Sequence, residues 1–423
     1  MSKSLLLGLV GVLTLAVACG GGSGSSSAAG SSSASASGQC AGTTQASQAN
    51  NVTAIVVDGG PLGNYSDAAF ADVTLCVPGT SNCQTIGHVL VDTGSEGLRI
   101  LSSAADIAGS PLSLSLTQEL VNGSPVVECA QFLSFVTWGP VVMTDVKIAG
   151  ETASDVPIQL VGLSGFPDVP LACTNAGTPA ETVGGDNGLG SNGILGIGPF
   201  PNDCGAGCTE PGAANPGLYY TCATNPCQVL TLSGQSQEVQ NPVSSFPKDN
   251  NGTIVELPAL PAAGAASVSG ALVFGIGTQS NNGLNGATIL TLDKETLDFT
   301  TSFKGVSYSG SFIDSGSNGL FFLTTAITGI PECKDENDFY CPASTEALTA
   351  TNLGVNGDSK ATSFSVANFD NLNGNFNAFN DMAGPNAGSG GTGPSFDWGL
   401  PFFFGCNVFT GIETTTAAPY FAY

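Results

Sequence analysis

Two stretches of this chain, about half its length apart, repeat one another. VLVDTGSEGLRIL (residues 89–101) aligned with SFIDSGSNGLFFL (residues 311–323) matches Asp92 with Asp314, Gly94 with Gly316, Ser95 with Ser317, Gly97 with Gly319, Leu98 with Leu320 and Leu101 with Leu323. Each copy is an apolar strand running into Asp, a hydroxyl residue, Gly and Ser, then a second apolar strand. One such tetrapeptide is simply a good β-turn. Two copies in matched apolar settings predict two related lobes, each presenting one carboxylate at a turn. A carboxylate at the end of a buried strand is costly unless hydrogen-bonded. Two brought together share one proton, because ionising both sets like charges side by side in a shielded cleft. A water between them would lose a proton to the ionised member while the protonated member polarises a peptide carbonyl.

The rest of the chain is consistent with chemistry of that kind. It has one histidine, His88, among 423 residues. A multi-histidine metal centre is therefore excluded, and no serine sits in a nucleophile-elbow pattern that would use His88 as base. A paired-carboxylate mechanism requires no cofactor and no metal. Even spacing along the strand would put His88 on one face with Leu90 and Asp92, although an ordinary half-buried histidine satisfies the same pattern. Acidic residues number 33 against 8 basic, which argues against nucleic-acid partners. Short alternating or apolar stretches such as NVTAIVVDG, TIGHVLVDTG and VSGALVFGIG, bounded by turn residues, predict an all-β fold. Short helices are expected at SAADIA and STEALTA, and an irregular excursion over residues 371–395.

The amino end, MSKSLLLGLVGVLTLAVA, is one basic residue followed by an apolar run of secretory length, and reads as an export signal over residues 1–18. LAVAC, ending at Cys19, resembles the lipobox of bacterial lipoproteins. That resemblance implies lipidation of Cys19, anchorage to a membrane of the bacterial cell envelope, with Gly20 pointing to the outer membrane, and a Gly/Ser tether over residues 19–50. Setting Cys19 aside, 12 of the 13 cysteines remain. That even number suits disulfides in an oxidising compartment, with Cys76/Cys83, Cys204/Cys208, Cys222/Cys227 and Cys333/Cys341 as candidate local loops. CGAGC and CATNPC also offer four thiols to a metal.

DTGS at residues 92–95 and DSGS at 314–317 resemble the two catalytic loops of the pepsin-like aspartic peptidases. NGILGIG (192–198), SGALVFGIG (269–277) and LPFFFGCNVFTGIE (400–413) follow in that family's order, with Phe403, Phe404 and Gly405 at the closing apolar-apolar-Gly position. The resemblance covers residues 51–423, and its closer likeness is to uncharacterised bacterial secreted relatives. It implies an all-β, two-lobed pepsin-like aspartic protease fold with an interlobe cleft, an amino-terminal lobe over 51–260 and a carboxy-terminal lobe over 261–423. It also implies catalytic Asp92 and Asp314 supported by Thr93, Gly94, Ser95, Ser315, Gly316 and Ser317, no cofactor, and a monomer that binds a peptide or protein. The sequence departs from the family where a flap tyrosine is expected: residues 128–150 offer only Phe135 or Trp138 to cover a cleft. Arg99, the sole arginine, stands where the peptidases have an aromatic residue. It either pairs with Glu96, shapes charge in the groove, or reaches Asp92. Two functions follow: an exported aspartic endopeptidase, or a non-catalytic envelope protein that binds peptide, protein or glycan on the same scaffold.

Overall fold

The structure is a computed structural model that describes residues 49–132, 135–166, 169–173, 189–223, 225–294, 296–388 and 393–423. The expected signal, Cys19, Cys40 and the tether up to residue 48 lie outside them. The described chain is built from strands that divide between a 17-stranded and a 7-stranded sheet. Alternation decides the half-exposed strands: in Phe299–Phe303 (FTTSF) the three odd residues are buried and the two threonine and serine side chains between them are half-buried. Strands buried on both faces read instead as continuous apolar runs, as in Gly193–Ile197, which is buried throughout.

The large sheet takes all strands up to Ile289–Thr291, then regains the chain's last two, Cys406–Gly411 and Tyr420–Ala422. Its base is woven from distant segments. Val52–Val57 pairs antiparallel with Val268–Phe274, and Gly252–Leu257 pairs with both Val268–Phe274 and Cys406–Gly411. The smaller sheet runs from Phe299–Phe303 to Phe396–Trp398 and packs an aromatic core in which Phe396 stacks between Phe322 and Trp398.

Each sheet contains the same local wiring at its repeat. Gly193–Ile197 runs parallel to the end of Cys83–Asp92, with Gly196 opposite Asp92, and antiparallel to Glu96–Leu101. Phe396–Trp398 runs parallel to the end of Val306–Ile313, with Trp398 opposite Ile313, and antiparallel to Leu320–Phe322. The segment threaded beside the second loop is therefore Asp397, Trp398 and Gly399. Phe403 and Phe404, expected there from the sequence, instead close a short 3-10 turn, Leu400–Phe403, that leads into the base strand.

The four local cysteine pairs all form disulfides, joined by Cys129–Cys173. Cys406 is disulfide-bonded as well. With their sulfurs bonded, CGAGC and CATNPC hold no metal. Two helix expectations fail. SAADIA forms turns, and STEALTA belongs to strand Glu346–Leu353, which pairs residue for residue with Ser359–Val366. A seven-residue helix is too short to persist without packing, whereas eight ladder pairs hold the same residues extended. Residues 371–388 are ordered rather than loose: Phe379 and Met382 are buried, and the Phe379 amide donates to Asp67 Oδ1 at 2.7 Å.

Candidate active site

The two repeated turns meet face to face. Asp92 Oδ1 accepts from the Gly94 amide at 2.8 Å and its Oδ2 from Ser95 Oγ at 2.5 Å. Asp314 Oδ1 accepts from the Gly316 amide at 2.7 Å and its Oδ2 from Ser317 Oγ at 2.9 Å. Each carboxyl is thus oriented by its own turn, which is why the repeat keeps Gly and Ser at these offsets. Thr93 and Ser315 lock one turn to the other. The Ser315 amide donates to Thr93 Oγ1 at 2.9 Å and the Thr93 amide donates to Ser315 Oγ at 3.1 Å. Each hydroxyl then donates onward across the pair, Thr93 Oγ1 to the Ile313 carbonyl at 3.0 Å and Ser315 Oγ to the Val91 carbonyl at 2.7 Å. Both residues are fully buried, so these exchanged bonds have no competition from water.

The glycines set the approach distance. A Cβ on Gly94 would sit 2.6 Å from Asp314 Oδ1, and one on Gly316 would sit 2.7 Å from Asp92 Oδ1. Only glycine at both positions lets each turn slide over the opposite carboxyl. Asp314 is held well above the usual carboxylate range, first by burial, then by the charges of Asp92 and Asp397.

Two further groups at this centre were not recognised in the sequence. Asp397 is 3% exposed and its Oδ2 is in hydrogen-bonding contact with Ser317 Oγ at 2.6 Å. Burial pushes it up to about 8, against the lowering effect of the Ser317 hydroxyl, and Asp92 raises it further. Tyr65, buried in the segment ahead of strand Ala69–Cys76, is raised by burial and then by Asp314 and Asp92, so it lies within electrostatic reach of both carboxyls. Neither sits in the repeat, which was the signal that exposed the rest.

Arg99 reaches neither Asp92 nor the Glu96 carboxylate. It is 2% exposed and donates to the Glu96 carbonyl at 2.7 Å, to Glu128 at 2.5 Å and to Asp203 at 3.0 Å. Tyr219 donates to Asp203 at 2.6 Å. One guanidinium faces two carboxyls that also contact each other, so only one of them has its charge balanced. Burial holds the Glu128 carboxyl well above the usual carboxylate range, against the lowering effect of Arg99 and with Asp203 raising it further. Glu96, beside Asp92, is pushed up to about 8 by burial, then by Asp92 and Asp203.

The hairpin of Ser124–Gln131 and Val136–Ile148 stands where a flap is expected. Phe135 stacks on Phe132 near its tip with centroids 4.5 Å apart, and the Arg99 guanidinium lies 5.6 Å from the Phe132 ring centre. Trp138 is no cleft cover. It is buried in a separate cluster edge-on to Tyr220, because strand Tyr219–Thr221 pairs with the hairpin on that side. His88 is also displaced from its expected face. It adopts φ 52° at a bulge where the ladder with Ala69–Cys76 shifts register. That extra residue breaks the even spacing to Asp92. His88 Nε2 instead lies 3.2 Å from Asp58 at the surface.

Among the described residues, one group has ligand-type atoms close enough for a metal, Cys333, Cys341 and Asp370, and its two sulfurs are joined in a disulfide.

Two sheets, each carrying one threaded turn and one carboxyl, define a pepsin-like aspartic-protease fold. The chain is similar to the aspartic proteinase from Irpex lacteus at 14% identity and a TM-score of 0.50, over 88% of this chain and 96% of that one. At that identity the likeness establishes a distant relation in fold. Residues 47–423 match the family described as "Protein of unknown function (DUF3443)", and the chain belongs to that family. No curated protein matches it.

Proposed function

We propose that this chain is an exported aspartic-type endopeptidase that hydrolyses extended peptides through Asp92 and Asp314. The observation that supports the reading is the reciprocal seating of the two turns, with the glycine of each facing the aspartate of the other. In this reading the pair holds one proton, resting on the Asp314 side. A water between the carboxyls gives a proton to Asp92 as its oxygen attacks the peptide carbonyl, while Asp314 passes its proton to the carbonyl oxygen. Collapse of the tetrahedral intermediate returns a proton to the departing amine and restores the monoprotonated pair. Phe132 and Phe135 at the hairpin tip would supply apolar cover over bound peptide. The export signal, the lipobox at Cys19 and the disulfides support anchorage by lipid in the bacterial cell envelope; the chain is read as a monomer, and the carboxyl pair requires no cofactor. Metabolic labelling with a palmitate analogue, lost in Cys19→Ala, tests the anchor.

The purified protein is expected to cleave members of a broad peptide library somewhere between about pH 3 and 8, with pepstatin inhibiting. Asp92→Asn and Asp314→Asn, folded by circular dichroism, are each expected to lose the activity. A wild type that cleaves nothing over that range would sink the peptidase reading and leave the scaffold as a binding protein for peptide, protein or glycan.

A further inference from the structure

Ser317 Oγ lies between two carboxyl oxygens, 2.9 Å from Asp314 Oδ2 and 2.6 Å from Asp397 Oδ2. A hydroxyl carries one proton and can donate to only one of them. The other contact is a hydrogen bond only if that carboxyl is itself protonated and donates to the serine oxygen. Asp397 is the better holder, because its Oδ1 is buried with no hydrogen-bond partner, a position that a neutral acid's carbonyl oxygen tolerates and a carboxylate oxygen does not. The residues opposite Asp397 on its flanking strands, Phe312 and Phe321, are apolar and provide no counter-charge. The ionisable groups that act on it are Asp92 directly and Asp314 through the serine. Beyond these, Glu96 and Tyr65 act on the pair itself through Asp92 and Asp314.

The first lobe has no such arrangement. The residue in the threaded strand that corresponds to Asp397 is Ile194, placed opposite Leu90 and Arg99. The third carboxyl is therefore a one-sided addition to an otherwise repeated device.

We propose that Asp397 is a positioning residue that stores a second proton for the Asp92/Asp314 pair and exchanges it through Ser317. When Asp314 is ionised, as after it has given its proton to the peptide carbonyl oxygen, the Asp397 Oδ2 proton moves to Ser317 Oγ as the serine proton moves to Asp314 Oδ2. Negative charge passes from Asp314 to Asp397, and no atom is gained or lost. Three carboxyls then hold two protons at neutral pH. The first proton lost on raising the pH is drawn from the Asp397 end, and the one left stays shared by the pair. The resulting Asp397 charge repels a further ionisation, so the pair keeps its working proton to higher pH. This rests on the peptidase reading for its purpose but not for its test.

The test is an NMR titration of carbon-13-labelled aspartate carboxyls in the wild type, Asp397→Asn and Ser317→Ala. In the wild type, Asp397 and Asp314 are expected to titrate together, each resonance reporting both steps. In Asp397→Asn the alkaline step of the pair is expected to fall by about one pH unit, and the alkaline limb of kcat/KM to fall with it. In Ser317→Ala, which leaves Asp397 in place, the two resonances are expected to separate. Asp397 titrating as a lone group in the wild type, or an alkaline step unmoved in Asp397→Asn, would overturn the proposal. An inactive wild type with coupled titration would remove the peptidase reading and leave this one standing; an active enzyme with uncoupled titration would do the reverse.

Discussion

Arg99→Met tests the account of the buried ion cluster, and its effect is expected to depend strongly on pH. Arg99 balances one of two contacting carboxyls, Glu128 and Asp203, both buried. Removing the guanidinium leaves that charge in a site with no cation among its described contacts, so the group takes up a proton instead. With an unfolded carboxyl pKa of about 4, proton uptake at pH 7 spans about three pH units at about 1.4 kcal/mol each, or about 4 kcal/mol. At pH 4.5 the same uptake costs about 1 kcal/mol. The sign follows from linkage: the variant's carboxyl has a folded pKa raised above its unfolded value, so its stability falls as pH rises through the unfolded value. Lost bonds to the Glu96 carbonyl and the Phe132 ring add about 1 to 2 kcal/mol that does not vary with pH. Urea denaturation at pH 7 and 4.5 measures the difference. A loss of equal size at both pH values would refute the charge-balance reasoning, and Arg99→Met combined with Asp203→Asn is expected to remove the pH-dependent part.

Gly316→Ala places a methyl 2.7 Å from Asp92 Oδ1 and forces the turns apart, so peptide cleavage is expected to disappear for a stability loss of only about 1 to 3 kcal/mol by urea denaturation. Replacing both Cys129 and Cys173 with alanine opens a link of 44 residues and is expected to lower stability by about 4 kcal/mol on the chain-entropy estimate. The same variant should be cut by an added protease within the 124–148 hairpin, and an unchanged digestion pattern would contradict the bracing role assigned to that disulfide.

The repeat made the two turns legible because a carboxyl, a hydroxyl, a glycine and a serine each have a fixed task there. The sheet class and the local disulfides were legible from alternation and cysteine spacing. The threaded segment of the second lobe was hidden by its own chemistry: Asp397 occupies a place where an apolar residue was sought, and the nearby Phe403, Phe404 and Gly405 fitted the pattern better. His88 is the ordinary half-buried histidine its pattern allowed, and the alternative of a face shared with Asp92 fails because a bulge leaves no mark in the spacing of apolar residues. The partners of Arg99 come from segments 29 and 104 residues away, a pairing that only the folded chain defines. Tyr65 sits in a turn-rich segment, where no periodicity announces which way a side chain faces.

The five disulfides with both ends described span at most 44 residues, whereas the base of the large sheet joins Asn51 to Phe274 across 223. Those five braces therefore close over short stretches, whereas the base of the sheet closes over more than half of the chain. Each local brace needs only its own short segment, but strand Gly252–Leu257 gains its second neighbour only when residues 406–411 are in place. A chain stopped short of Cys406–Gly411 is thus expected to carry the five short-range disulfides while Gly252–Leu257 still lacks its second neighbour.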